Sequence, residues 1–224
     1  NRFCTPAPGE DDVRRMKANY YGEITLIDDW IGRILQACRD KGWSENMLVI
    51  FWADHGDMMG DHNQIEKFSF FENSARVPLI MSWPGVISPG AVSSALVENI
   101  DILPTAIEAA ALEPSNVGFG RSVLSTAFDG SQHHRETVLS ELPARERYMV
   151  RDARYKYSML ADGRGLFLFD MDSDPDEQTN LLGHPDYIRT ETGMRDMLLT
   201  RLVQTPCDVT GEAYAAQALR LGRR

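Results

Sequence analysis

The stretch that decides the fold is MLVIFWADHGD, at residues 47–57. Its first six residues form a short, continuous apolar run, which is typical of a strand buried on both faces in a parallel sheet. Polar residues follow at once, beginning with Asp54 and His55. Because ligand sites in open α/β sheets lie just past the carboxyl ends of strands, this polar cluster is the first candidate site.

An α/β pattern continues on both sides of this strand. Apolar residues recur every three or four positions between Met16 and Cys38, which predicts a long preceding helix. A second apolar run at residues 77–83 predicts another buried strand, and residues 95–97 predict a short third one. The chain up to about residue 132 is therefore predicted to be part of an α/β domain, with a parallel or mixed sheet flanked by helices.

After residue 132 the pattern changes. Short strand-like runs separated by turn residues follow, as in an antiparallel meander; they lie at residues 137–140, 147–151, 154–159 and 166–169. A helix is predicted from about Asp186 to Val203. We therefore expect residues 1–132 to form one domain and residues 133–224 to form a small α+β subdomain with a tail.

Composition restricts the function. The chain has 224 residues, of which 43% are hydrophobic and 25% charged, the balance of a globular protein. Its 33 acidic residues exceed its 23 basic ones without any basic block, so non-specific nucleic-acid binding is not expected. No run approaches the roughly 18 apolar residues of a membrane helix. Cys4, Cys38 and Cys207 form neither a disulfide framework nor a zinc-binding spacing.

The densest group of reactive side chains is DHGDMMGDH, at residues 54–62. Carboxylates and imidazoles together are a usual ligand set for a divalent cation of intermediate hardness, and Gly56 and Gly60 would let the backbone bend tightly. Lys67, farther along, could grip an anionic substrate oxygen. The alternative interpretation is a polar loop with capping aspartates and surface histidines. The position past a buried strand favours a site.

Two further features have structural interpretations. Asp101 is the predicted N-cap of a helix over residues 101–110. The adjacent residues His133 and His134 lie in an irregular segment, and neighbouring side chains on an extended chain point apart. A surface loop is therefore favoured over a metal site for this pair.

The order of these motifs resembles the second half of a sulfatase catalytic domain, in the alkaline-phosphatase-like superfamily. The first matching motifs are DDWIG at 28–32, VIFWADHG at 49–56, GDH at 60–62, Lys67, Glu72, RVPLI at 76–80, WPG at 83–85 and VENIDILPT at 97–105. Those nearer the C-terminus are YKY at 155–157, LFD at 168–170, DP at 174–175, EQ at 177–178 and NL at 180–181. Each motif alone is weak, but the ordered set is specific.

This resemblance implies roles for four residues. Asp54 and His55 would be ligands of one divalent cation, Ca²⁺ in many sulfatases. The Asp-His form resembles the branch of choline sulfatases and phosphonate monoester hydrolases, where Mn²⁺ is also seen. Lys67 would be the catalytic lysine that contacts the sulfuryl oxygens of a sulfate ester. His62 is a weaker candidate for substrate binding.

The family nucleophile is a formylglycine made from Cys or Ser in a Cys/Ser-x-Pro-x-Arg motif, and it is not located in this chain. CTPAP at residues 4–8 ends in Pro8 instead of Arg, and it lies too close to Asp54. Counterparts of the family's first two aspartate ligands are also lacking. We therefore expect a fragment that is inactive alone, whose partner is a missing N-terminal half of the domain, with a homo-oligomer as a further expectation.

Three functions stay open at this stage. The first is a sulfuric ester hydrolase seen as its C-terminal portion. The second is a phosphonate or phosphate diester hydrolase of the same superfamily, and the third is a non-catalytic remnant. The natural substrate and the cellular compartment are not defined by the sequence.

Overall fold

The computed structural model describes residues 8–112, 119–129, 132–142, 144 and 146–221, with the backbone alone for residues 128, 129 and 205–221. The chain divides into two compact units, Asn1–Gly90 and Ala91–Arg224. The expected boundary between residues 132 and 133 falls inside the second unit, and it stays a prediction about domain organisation. In the part of the chain that is described, no helix combines the length and apolar character needed to cross a bilayer.

The first unit begins with the predicted long helix and contains a small sheet. Its elements are α1 (Glu10–Asp40), β1 (Val49–Trp52), α2 (Glu72–Ala75) and β2 (Leu79–Ser82). Acidic residues occupy the first turn of α1, where the helix dipole favours negative charge. Gly42, with φ of 73°, follows the end of α1, and the left-handed conformation that glycine tolerates closes the helix.

Strands β1 and β2 pair in antiparallel fashion, with Val49 opposite Ser82 and Trp52 opposite Leu79. The expectation that the first strand is buried on both faces is wrong for this chain, because Phe51 and Trp52 are 38% and 45% exposed. Within the described residues this sheet has two strands, too few to cover both of its own faces. Its antiparallel pairing also differs from the parallel type expected for the first strand.

The second unit contains two short helices, a four-stranded sheet and a long final helix. These are α3 (Ile102–Ala109), α4 (Leu124–Asp129), β3 (Val138–Leu142), β4 (Arg147–Arg151), β5 (Tyr155–Leu160), β6 (Gly165–Asp170) and α5 (Ile188–Leu221). The strands are antiparallel neighbours in chain order, so the predicted meander is confirmed. The described backbone over residues 95–97 is not a strand, contrary to expectation.

The core of the second unit lies between this sheet and α5. Six side chains form it, each at most 3% exposed: Val150, Tyr157, Met159, Leu168, Met194 and Leu198. Tyr157 and Met159 share a face of β5 because side chains alternate along a strand, and Met194 and Leu198 are one helical turn apart. Apolar residues two positions apart in β5 and four positions apart in α5 thus pack in one cluster.

Asp101 is at the centre of a buried ionic cluster in the second unit. Its carboxylate accepts hydrogen bonds from the Arg135 side chain and from the backbone N–H groups of Glu98 and Arg121. Burial would raise the pKa of Asp101, but these hydrogen bonds outweigh it and hold the pKa below its ordinary value. His134 Nε2 lies 3.3 Å from Asp101 Oδ2, so the surface interpretation is wrong for His134.

Candidate active site

Asp54 and His55 lie just past the end of β1, as the sequence predicted. The Asp54 Oδ2 and His55 Nε2 atoms are 3.2 Å apart, and the His55 N–H donates to Asp54 Oδ1 over 3.0 Å. The side chain of Asp54 is 83% exposed and that of His55 is 36% exposed. The pair therefore presents one carboxylate oxygen and one imidazole nitrogen side by side at the surface of the first unit.

The orientation of the His55 ring is set by its other nitrogen. Nδ1 lies 2.9 Å from the Gly56 carbonyl oxygen, and a carbonyl can only accept, so Nδ1 carries the proton. In the neutral ring Nε2 then has the lone pair, next to Asp54 Oδ2. Metal bonds of about 2.0–2.4 Å at right angles place neighbouring donors about 3 Å apart, so the two atoms suit one divalent cation. A second proton on the ring would compete for the same position.

Gly56 is required by a close backbone approach. Its N–H donates to the Ser74 carbonyl over 2.8 Å, and a Cβ at Gly56 would lie 1.9 Å from the Asn73 carbonyl oxygen. The predicted bend belongs instead to Gly60, whose φ is 96°. The backbone beside His55 is thus packed directly against α2.

The segment between His55 and Lys67 folds into a compact loop. Met58 is fully buried, and its N–H donates to the Glu66 carbonyl over 2.9 Å. Four non-glycine residues take the sparsely populated left-handed conformation: Met59, His62, Asn63 and Glu66. Such strain persists where the surrounding structure holds it, which makes this loop a defined element of the site.

His62 packs against an aromatic ring of the same unit. Its imidazole stacks on Phe71 with a centroid separation of 3.9 Å and an interplanar angle of 8°. The neighbouring Asp61 accepts a 2.6 Å hydrogen bond from the Asn73 side chain. His62 thus has a packing role in the loop, and its contact with substrate stays a prediction.

Lys67 is exposed, so an anion can reach its side chain. Its carbonyl oxygen accepts hydrogen bonds from the Ser69 N–H, at 2.8 Å, and from the Ser74 hydroxyl, at 2.6 Å. Ser74 therefore contacts the backbone of both segments that carry the predicted site residues. Ser74 was not predicted as a site residue, because a serine in a short polar segment has no distinguishing signal.

The described residues contain no group of three or more His, Cys, Asp or Glu side chains arranged to hold a metal ion. Asp54 and His55 supply two metal ligands. Ca²⁺ takes six to eight ligands, and Mn²⁺ takes about six, so further ligands would be needed. In donor type and spacing the pair fits part of a divalent-cation site. The metal-ligand roles themselves stay predictions.

Two family models match this chain. Residues 2–112 match the model described as Sulfatase, and residues 60–204 match the model described as N-sulphoglucosamine sulphohydrolase, C-terminal. The second match covers well over half of the chain. The segment with Lys67 lies within both.

Individual relatives agree with these models. Arylsulfatase K from Xenopus laevis is 34% identical over 194 residues, covering 80% of this chain and 36% of that protein. The multifunctional alkaline phosphatase superfamily protein PehA from Trinickia caryophylli is 32% identical over 198 residues, covering 80% of this chain and 38% of that protein. The chain thus spans little more than a third of the length of these relatives.

A solved structure supports the same assignment. The phosphonate monoester hydrolase from Silicibacter pomeroyi superposes with a TM-score of 0.81 at 26% identity, covering 88% of this chain and 43% of that one. This likeness confirms the predicted α/β fold class. Its fold, the two family models and the sequence relatives agree with the motifs read from the sequence, and the chain belongs to the sulfatase family of the alkaline-phosphatase-like superfamily.

Proposed function

We propose that this chain is the C-terminal part of a catalytic unit that hydrolyses sulfate esters, with Asp54 and His55 among the ligands of one divalent cation. The observation that carries the proposal is the 3.2 Å separation of Asp54 Oδ2 and His55 Nε2, with the ring oriented by the Gly56 carbonyl. The imidazole makes the site softer than an all-oxygen one, so Mn²⁺ is expected beside Ca²⁺.

The chemistry follows from the charge of the substrate. A sulfate ester carries negative charge on its non-bridging oxygens, and a bound divalent cation would offset that charge as the leaving oxygen departs. Lys67 is exposed and would add a second positive charge to the same oxygens. The Gly56 carbonyl would keep the His55 Nδ1 protonated and its Nε2 available.

We also propose that an N-terminal segment of the sulfatase domain completes the unit and supplies the formylglycine nucleophile and the remaining metal ligands. The support is the partial coverage of the relatives and the apolar surface of the first unit. None of the 31 residues of α1 is buried, and Tyr21, Trp30 and Ile34 are 63%, 54% and 59% exposed. Apolar patches of this kind mark surfaces that another segment covers.

Metal binding is tested by titration calorimetry with Mn²⁺ and Ca²⁺ on this chain assembled with the proposed N-terminal segment, because Asp54 and His55 supply only part of a ligand set. Asp54→Ala is expected to weaken Mn²⁺ binding at least about tenfold, because it removes a ligand. Asp28→Ala is the matched control, since it removes one exposed carboxylate from α1 and makes the same change in net charge. Equal affinities of the two variants would contradict the proposal and favour the non-catalytic remnant.

The catalytic part of the proposal is tested by DNA sequencing. Either the coding sequence upstream of the Asn1 codon or a separate companion gene is expected to encode a Cys/Ser-x-Pro-x-Arg motif and an early Asp-Asp pair. The assembled protein should hydrolyse an aryl sulfate, and Asp54→Ala should abolish turnover. Turnover by the 224-residue chain alone, lost in Asp54→Ala, would overturn the proposed division of the site.

A second candidate is hydrolysis of phosphonate monoesters or phosphate diesters. The likeness to the Silicibacter pomeroyi phosphonate monoester hydrolase and the Asp54–His55 pair favour it. A comparison of kcat/KM for an aryl sulfate and an aryl phosphonate monoester, measured on the assembled protein, separates the two. The larger value identifies the substrate class.

A further inference from the structure

Ser74 makes three hydrogen bonds to backbone groups, and two of them link the two segments of the proposed site. It lies in α2 and is 2% exposed. Its N–H donates to the Phe71 carbonyl over 2.9 Å, its carbonyl accepts from the Gly56 N–H, and its hydroxyl donates to the Lys67 carbonyl. We propose that Ser74 is a positioning residue, whose hydroxyl holds Lys67 in register with the Asp54–His55 pair.

The link from Ser74 to His55 runs through Gly56. The Gly56 N–H donates to the Ser74 carbonyl over 2.8 Å, and the Gly56 carbonyl lies 2.9 Å from His55 Nδ1. Gly56 has no room for a Cβ on this side, because the Asn73 carbonyl occupies that space. Ser74 therefore holds the His55–Gly56 peptide, and the His55 ring contacts the carbonyl of the peptide that follows it.

The link to Lys67 depends on the hydroxyl. Ser74 Oγ lies 2.6 Å from the Lys67 carbonyl oxygen, seven residues earlier in the chain. The other bond to this carbonyl comes from Ser69, two residues away, and is local to the turn. Removing the hydroxyl would leave the Lys67 carbonyl with this local bond alone, so the turn would no longer be bonded to α2.

This inference rests on the proposed function, because it matters chemically if Lys67 and the Asp54–His55 pair act on one substrate. A lysine side chain is long and flexible, so its backbone position decides which volume the ammonium group samples. A displacement of about 1 Å in a supporting shell is enough to weaken a site of this kind. Ser74 would act through Lys67 and Gly56, without touching the substrate.

Amide hydrogen exchange on the full chain tests the link directly. Ser74→Ala is expected to speed exchange at the Ser69 amide about tenfold, the loss expected for one buried hydrogen bond, because the turn that holds this amide is no longer bonded to α2. The Gly56 amide should change less, since its acceptor is the Ser74 backbone carbonyl. Ser74→Cys keeps a side chain of similar shape but has a weak donor, so it should behave like Ser74→Ala if the hydroxyl is responsible. Wild-type exchange at Ser69 in both variants would overturn the proposal.

Ser158→Ala is the matched control. Ser158 is fully buried in the second unit, and its hydroxyl donates to the Tyr148 carbonyl over 2.9 Å, a bond of the same kind. This variant should lose stability in the second unit yet leave exchange at Gly56 and Ser69 unchanged. An equal effect of Ser158→Ala on those two amides would mean that Ser74 has a general structural role, and it would overturn the positioning role.

Paramagnetic broadening by Mn²⁺ tests the consequence for the site. In the wild-type chain, assembled with the proposed N-terminal segment, Mn²⁺ should broaden the NMR signals of the His55 ring and of the Lys67 side chain. In Ser74→Ala the His55 signals should still broaden, while the broadening at Lys67 should decrease. Unchanged broadening at Lys67 would overturn the inference. If the His55 signals of the assembled wild-type protein do not respond, the proposed metal function fails, and the exchange experiment still decides whether Ser74 links the two segments.

Discussion

The two units of the chain differ in how far they bury their apolar and charged side chains. The second unit has a core of six apolar side chains between its sheet and α5, and it also buries charged pairs such as Asp101–Arg135 and Lys156–Glu177. The first unit leaves apolar residues of α1 and β1 exposed, and its candidate site consists of exposed or half-buried polar groups. The second unit is thus stabilised by its own buried core. The first unit contains the candidate site, next to an exposed apolar surface that another segment could cover.

The strongest test of this contrast is Asp101→Asn. It removes the carboxylate that accepts two hydrogen bonds from the buried Arg135 guanidinium and leaves the 3.4 Å ion pair with Glu98, so we expect the free energy of unfolding to fall by about 3–5 kcal/mol. Urea denaturation followed by circular dichroism measures the change. Asp176→Asn, at an exposed position of the same unit, should stay within about 0.5 kcal/mol of wild type. Equal losses in both would mean that the buried cluster does not stabilise the unit.

The apolar core gives the next effect, through two adjacent leucines of α5. Leu198 is fully buried and Leu199 is 41% exposed. Leu198→Ala should cost about 2–5 kcal/mol in the free energy of unfolding, because it removes contacts and leaves a cavity. Leu199→Ala should cost less than about 1 kcal/mol. Similar losses in the same denaturation experiment would break the assignment of the core to this face of α5.

Acid should weaken the second unit in a defined pH range. The pKa of Asp101 is held below its ordinary value of 3.8, and the Arg154 guanidinium likewise lowers the pKa of Asp170. A carboxyl whose pKa is lower in the folded state contributes stability that is present above the unfolded pKa and lost as pH falls through the folded one. We therefore expect the urea midpoint to decline below about pH 4. A smaller decline in Asp101→Asn would sharpen the assignment, and an identical decline would contradict it.

The smallest effect on stability should come from the first unit, where glycine substitutions separate the site from the scaffold. Gly56→Ala would place a Cβ 1.9 Å from the Asn73 carbonyl, so we expect a loss of about 1–3 kcal/mol together with weaker Mn²⁺ binding. Gly22→Ala, in an open position of α1, should stabilise the helix by about 0.5–1 kcal/mol and leave Mn²⁺ binding unchanged. Wild-type Mn²⁺ affinity in Gly56→Ala would argue against a site beside this glycine.

Prediction from sequence was most accurate where the pattern is local. The period of the apolar residues located α1, the four strands of the meander and the start of α5, because each periodicity reports one face of one element. The polar run after β1 located Asp54 and His55 for the same reason. The burial of β1 was predicted wrongly, since its length and composition describe a strand whose covering elements do not lie among the described residues.

Asp101 shows why other roles could not be predicted. It does occupy the N-cap position of α3, but its carboxylate bonds to Arg135 and to two backbone amides. His134, predicted at the surface, faces the same carboxylate. His134 and Arg135 are more than thirty residues from Asp101 in the chain, and no periodicity connects them to it.

By itself, the sequence determined the family, the positions of α1, of the meander strands and of the start of α5, and the identity of the candidate ligands, because motifs and periodicities are properties of neighbouring residues. The tertiary structure alone decided that Gly56 must lack a side chain, that Ser74 links His55 to Lys67, and that Asp101 is buried. Each of these depends on which distant segments approach one another, and that approach is set by the packing of the folded chain.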